Sequence, residues 1–287
     1  MTLFKLILVP LLAIALIPPG LNMVCFILEN RTTGHFQVLK TRSRLPLPFL
    51  LLRGTLSALM GNIYWLIGVR HYLHFGLGRP ETRDPGQPAV VMVHGLYHNS
   101  SAWRSLKKRL ERQGLLNCYT WSYPSFGRSF EDLVQDCTRA LHQAASAHPE
   151  AGLIVIGHSL GGLILRQTLC DPGVKSRVRA LITLGTPHQG TRAARIGIGS
   201  LAKGLIPDGS IIHDVRNSRC TQGTYAVSLF SSLDTMVVPA WGLRISDPDW
   251  QEVETAPTTH VAMLFNQSVG DTVLEVVSNV QCTGSKG

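Results

Sequence analysis

Two long uncharged stretches open the chain, and beyond about residue 89 short apolar runs alternate with amphipathic ones. Residues 6–28 contain no charged side chain, which is long enough for a helix to cross the apolar core of a bilayer. A cleaved signal peptide is the alternative. Against it, no A-x-A site follows the 6–17 stretch, and Asn22-Met23-Val24 before Cys25 makes a poor lipoprotein signal. Pro10, Pro18 and Pro19 would kink a spanning helix and leave an interfacial or re-entrant segment open. A second apolar region, residues 45–69, is interrupted by Arg53 and holds Gly54, Gly61 and Gly68, so it suits either a second span or an amphipathic surface helix.

Arg31, Lys40, Arg42 and Arg44 lie between the two regions, and the positive-inside rule would keep that loop cytoplasmic. Two spans would then put the rest of the chain outside, in a periplasmic or extracellular space, and one span would leave it inside. Arg70, Arg79 and Arg83 weaken the charge bias. The pattern predicts a membrane anchor region of one or two hydrophobic helices over 1–79, a linker rich in Pro, Gly and charge over 80–88, and a folded domain over 89–287.

Within that domain, strands are expected at 89–93, 116–121, 153–156, 180–184, 225–230 and 252–254, and helices at 101–113, 130–147 and 160–170. Asn99 or Ser100 suits the N-cap of the first helix and Gly114 its end, while Ser129 and Asp132 are spaced as a capping box for the second. Such alternation predicts an α/β fold: a mostly parallel central sheet with helices on both faces.

Charge and cysteine content add little. The net charge of +9 is scattered rather than gathered into a stripe, and no nucleic-acid module is present, so nucleic acid is not an expected partner. No Cys/His spacing suggests a metal site, and no cofactor is implied. Cys170 follows an apolar run and reads as core packing, whereas Cys220 and Cys282, in polar surroundings, are the expected disulfide if any forms.

Gly157-His158-Ser159-Leu160-Gly161 lies between an expected strand and an expected helix, the context that makes G-x-S-x-G a nucleophile elbow. Glycine-rich strand-to-helix turns also bind phosphates, but neither G-x-G-x-x-G nor G-x-x-x-x-G-K occurs here. A serine needs a base, and the base needs a carboxylate to hold its tautomer. Of the downstream histidines His188, His213 and His260, only His260 lies beyond the expected strands, where a loop can return to the elbow. Asp234 follows the 225–230 strand after a short turn, whereas Asp247 and Asp249 read as turn chemistry and Glu252 sits in a strand. Ser159, Asp234 and His260 are therefore the expected catalytic residues. Backbone N–H groups of Leu160 and of Leu96, in the His94-Gly95-Leu96 loop, are the expected oxyanion donors. His94 is expected to brace that loop, and Tyr97, His158 and His188 are candidate substrate contacts, with packing of the loop after the 180–184 strand as the alternative for His188.

The segments VMVHG, GHSLGG, LGTPHQGT, SSLDTMVVP and TTHVAMLF together resemble the bacterial class 2 triacylglycerol lipases and esterases of the α/β-hydrolase superfamily, and more loosely the lipase group containing GPI inositol-deacylases. The resemblance covers about residues 89–280. It implies an α/β-hydrolase fold and hydrolysis of carboxylic esters of hydrophobic acyl groups through an acyl-enzyme, with Ser159, Asp234 and His260 as the triad. The small lipases of this kind are secreted, lack a lid and often carry Ala where this chain has Gly157. Residues 190–224 are also longer here, and Ile196, Ile198, Leu201, Leu205 and Ile206 with Arg192, Arg195 and Lys203 suit either a flap that touches lipid or a surface helix with a buried face. A membrane lipid deacylase or acyltransferase would use the same residues, and a catalytically inactive binding protein is the remaining class. Lipid or another hydrophobic ester and a membrane surface are the expected partners.

Overall fold

The structure is a computed structural model describing residues 2–67, 74–80 and 84–283, with side chains described over 16–63, 74–80 and 84–280. Expectations placed on Gly68, Arg70, Arg83 and the side chain of Cys282 lie outside the described residues. Seven strands form one sheet: β1 (Gly76–Gly78), β2 (Ala89–Val93), β3 (Cys118–Ser122), β4 (Leu153–His158), β5 (Val178–Leu184), β6 (Ala226–Phe230) and β7 (Trp250–Glu254). Their order across the sheet is β1-β3-β2-β4-β5-β6-β7. All neighbours from β3 to β7 pair in parallel, and β1 joins β3 antiparallel at one edge.

The helices are α1 (Thr2–Asn30), α2 (His35–Arg42), α3 (Leu47–Ile67), α4 (Arg104–Arg112), α5 (Phe130–Ala147), α6 (Leu160–Thr168), α7 (Pro172–Lys175), α8 (Ser200–Gly204), α9 (Ser210–Asn217) and α10 (Gln267–Thr283). Because alternate strand residues face opposite sides, β2 feeds two cores. Val91 and Val93 pack with Leu133 and Leu141 of α5 and Leu163 of α6, whereas Val90 and Met92 pack with Leu106 and Leu110 of α4 and Val273 and Val277 of α10. The β2 strand is buried throughout, as a parallel strand covered on both faces must be. The expected caps are present: Asn99 accepts from Ser101 N–H, and Ser129 and Asp132 form both bonds of the capping box.

The amino-terminal helices dock on this domain. Met23 and Phe26 of α1, Leu39 of α2 and Leu50 of α3 form a small core with Leu233 and Val238. Gly54 and Gly61 leave room for α3 to approach: a Cβ at Gly54 would stand 3.2 Å from Leu233 and 3.3 Å from Thr259, and one at Gly61 2.7 Å from Val261. Ser57 Oγ and Thr259 Oγ1 share a hydrogen bond of 2.9 Å. His35 Nε2 donates to the Ser232 carbonyl at 2.6 Å, and Glu29 and Arg42 pair with Arg192 and Glu254. The expectation of a membrane-spanning anchor finds no support, since among the described residues no helix is long and apolar enough to cross a membrane. One reason is local: part of what reads as an uninterrupted apolar stretch is the face that covers Leu233 and Val238.

The expected Cys220–Cys282 bridge is also corrected. Cys220 is bonded to Cys170, tying the segment after α9 to the end of α6 across 50 residues of chain. Closing a loop of that length restricts the unfolded chain by about 4 kcal/mol in the loop-entropy account. Cys170→Ser or Cys220→Ser is expected to lower the unfolding free energy by roughly 2–5 kcal/mol, read by denaturant titration against the oxidised parent.

Candidate active site

The turn from β4 into α6 holds Ser159 at φ 54 and ψ −124, a backbone conformation costly for a residue with a Cβ. The surroundings hold it there. Ser159 N–H donates to the Leu184 carbonyl at 2.9 Å, and Thr186 Oγ1 donates to the Ser159 carbonyl at 3.1 Å. The glycines let the turn sit against its neighbours. A Cβ on Gly161 would collide with the Val93 and His94 carbonyl oxygens, one on Gly162 with Thr186 Oγ1, and one on Gly157 would stand 2.5 Å from Gly162 Cα. A Cβ on Gly95 would stand 2.8 Å from Ser159 Cβ, so the loop after β2 passes directly beside the serine.

Asp234 and His260 meet in the interior beside this turn. His260 Nδ1–H donates to Asp234 Oδ2 at 2.7 Å, and the two side chains are only 3% and 0% exposed. Asp234 Oδ1 accepts the Met236 and Val237 N–H groups at 2.9 and 2.8 Å. With both carboxylate oxygens engaged by donors, the bond fixes the imidazole tautomer and leaves Nε2 as its basic nitrogen. Gly185, at φ 55, abuts the pair: a Cβ there would lie 3.1 Å from Asp234 Oδ2 and 3.2 Å from His260 Nδ1.

The loop after β2 is braced as expected. The His94 ring stacks on Tyr123 at 4.2 Å and donates Nδ1–H to the Gly95 carbonyl at 2.8 Å, its Nε2 accepting the Tyr123 N–H at 3.2 Å. Burial pushes its pKa down to about 3, so it is a neutral strut. Tyr97 N–H is taken by Ser125 Oγ and His98 N–H by the Gly95 carbonyl. Leu96 N–H, between Gly95 and Tyr97, has no acceptor among the described residues. Leu160 opens α6, where first-turn N–H groups lack intrahelical acceptors.

The three expected substrate contacts separate. Tyr97 is half-buried, stacks on Phe126 at 5.6 Å and shares its hydroxyl with the backbone of Ile198, from whose N–H it accepts at 2.8 Å. His158 is buried and donates Nε2–H to the His260 carbonyl at 3.1 Å, with the two rings 4.6 Å apart. Its placement is behind the histidine, where burial and the neighbouring imidazoles hold its pKa well below the usual value. His188 is corrected: it is 1% exposed, with Nδ1 accepting from Arg166 and Nε2 facing Thr183 and Ser228, so it belongs to the interior. In residues 190–224, Leu201 and Leu205 are buried, whereas Ile196 and Ile198 are 53% and 73% exposed, and the Ile198 backbone meets the Tyr97 hydroxyl. Gly185 and Thr186 were missed as site residues. The signal was available in LGTPHQGT, where a glycine and a hydroxyl follow an apolar strand.

A profile of the alpha/beta hydrolase family matches residues 90–274, more than half of the chain. The chain belongs to the alpha/beta hydrolase family. Two pimeloyl-[acyl-carrier protein] methyl ester esterases are similar to part of this chain: that of Proteus mirabilis (strain HI4320) is 31% identical over 106 residues, and that of Edwardsiella ictaluri (strain 93-146) 32% identical over 106 residues. Each match covers 37% of this chain and 39% of the relative, so the chain spans about two-fifths of the length of these curated relatives. Among solved structures, the mature form of Bacillus licheniformis lipase BlEst2 aligns at TM-score 0.60 and 18% identity, over 71% of this chain and 98% of that one. Aspergillus fumigatus lipase B aligns at TM-score 0.57 and 14% identity, over 71% and 56%. At these identities the structures show a shared fold.

The elbow's tolerance for side chains is directly measurable. Gly161→Ala is expected to lower the unfolding free energy by about 1–3 kcal/mol or to prevent folding, because backbone carbonyls cannot yield as a side chain would; a denaturant curve like that of the parent would contradict the packing of this turn.

Proposed function

We propose that this chain is a serine hydrolase of carboxylic esters with hydrophobic acyl groups, and that it works through an acyl-enzyme. The observation that carries the reading is the buried Asp234–His260 bond beside the strained turn of Ser159. In the proposed reaction His260 Nε2 removes the Ser159 hydroxyl proton as Oγ attacks the ester carbonyl. The Leu96 and Leu160 N–H groups face the oxyanion of the tetrahedral intermediate. Collapse of that intermediate breaks the bond to the alcohol oxygen, which takes the proton from His260. Water then repeats the sequence on the acyl-enzyme, releasing the acid and restoring Ser159.

Asp234 keeps its charge throughout and serves to orient and stabilise the imidazolium. His158 is a positioning residue in this scheme, through its bond to the His260 carbonyl. An apolar acyl group is supported by the half-buried Tyr97, which stacks on the exposed Phe126 and meets the backbone of the exposed Ile198. Contact with a lipid surface is supported by the exposed Leu21, Val24, Leu28, Phe49, Leu52 and Leu56 of α1 and α3. The ester chemistry named for the two bacterial relatives agrees with the same bond class.

Turnover of p-nitrophenyl esters tests the roles. Ser159→Ala is expected to abolish it, and Asp234→Asn to lower kcat by roughly a thousandfold or more with KM little changed, because the histidine loses its tautomer. A near-parental kcat in Asp234→Asn would move the acid elsewhere.

A further inference from the structure

On the side of the domain where α6 ends, a polar cavity of about 350 Å³ is lined by Arg166, Arg216, Arg219, Asp247, Gln189 and Asn217, among others. Three guanidinium groups thus face one carboxylate. Arg166 is 7% exposed, and a guanidinium buried to that degree ordinarily has an acid beside it. Asp247 acts on it favourably through space, but among the described residues no carboxylate hydrogen-bonds it. Nη1 donates to His188 Nδ1 at 2.9 Å, the guanidinium carbon stands 5.5 Å from the Trp250 ring centroid, and Nε has no hydrogen-bond partner. His188 cannot balance the charge, being held neutral by burial and by Arg166 itself.

The other two arginines are exposed and only weakly engaged. Arg216 reaches Asp208 at 3.8 Å, and Asp208 is 91% exposed, so that pair contributes little. Arg219 is held at φ 46 and precedes Cys220, whose disulfide to Cys170 pins this turn to the end of the helix bearing Arg166. Asp247 Oδ1 is itself occupied by the Asp249 N–H at 3.1 Å. The disulfide therefore ties the turn bearing Arg219 to the end of the helix bearing Arg166, and the cavity lining carries three cations and one carboxylate.

We propose that this cavity binds a phosphate-type dianion, with Arg216 and Arg219 presenting the accessible donor forks and Arg166 the buried charge behind them. A guanidinium matches such an oxyanion geometrically, with paired N–H groups for paired oxygens. The dianion balances the surplus of three guanidiniums over one carboxylate. Free phosphate and a lipid phosphate headgroup share this chemistry. The site is separate from the Asp234–His260 pair, so its test is binding rather than ester turnover.

The full chain is titrated with inorganic phosphate by calorimetry in a chloride buffer, and mixed in parallel with phosphatidylcholine vesicles with and without phosphatidic acid. Saturable binding is expected in at least one arm, and which arm responds identifies the source. Arg216→Gln and Arg219→Gln should each weaken it by about tenfold, the loss of one charge-assisted interaction, without changing the melting temperature in chloride. Arg112→Gln, an exposed arginine at the end of α4, should leave it intact. No saturable binding in either arm overturns the proposal, as does binding that the Arg216 and Arg219 substitutions leave unchanged or that Arg112→Gln weakens equally.

Discussion

A carboxylate sealed from water is costly unless fixed donors compensate it, and Asp234 is held by three: two backbone N–H groups on one oxygen and the His260 ring on the other. Much of the local architecture follows from that requirement. The residue after β5 must be a glycine, because a side chain at Gly185 would crowd both partners. The loops after β5 and β6 and the segment before α10 must converge on one point, which the sheet order brings about by placing β5 and β6 side by side. The serine lies one strand further, at the end of β4, adjacent to β5. Its strained turn is sustained by bonds to Leu184 and Thr186 on either side of that same glycine.

The amino-terminal helices enter this arrangement from behind. Leu50 packs with Leu233, the neighbour of Asp234, and Ser57 bonds Thr259, the neighbour of His260. Gly54 and Gly61 bring α3 close enough for both contacts. These helices thus touch the loops that bear Asp234 and His260 directly, through Leu233 and Thr259. Their opposite faces carry exposed leucines and valines, so one pair of helices supports the loops inside and presents carbon surface outside.

What could be read from the chain was what is locally encoded. G-H-S-L-G between an apolar strand and a helix, the Ser129 and Asp132 cap, and the alternation of β2 through β7 with helices all rest on neighbours in sequence. Contacts across the fold were harder to see. Cys170 was expected to be core packing because it follows an apolar run, yet its partner is 50 residues away on a turn that only the folded chain brings near. His188 follows a strand end as a site residue would, but its ring turns inward to Arg166. Helix α10 was not anticipated: its buried valines at 269, 273, 276, 277 and 280 keep helical spacing, but Gly270 and β-branched residues are poor helix formers, so packing on the sheet decides its conformation. Strand β1, three residues with two glycines, carries almost no local signal. Apolar content alone could not separate a bilayer-spanning helix from one that buries a face on Leu233 and Val238.

The central claim is that the buried Asp234–His260 pair exists to activate Ser159, and covalent trapping of the nucleophile tests it most directly. The full chain is treated with a fluorophosphonate, digested and mapped by mass spectrometry. A single adduct on Ser159, formed far more slowly in Asp234→Asn, is the predicted result; an adduct on another residue, or labelling of Ser159 at an unchanged rate in Asp234→Asn, would contradict it.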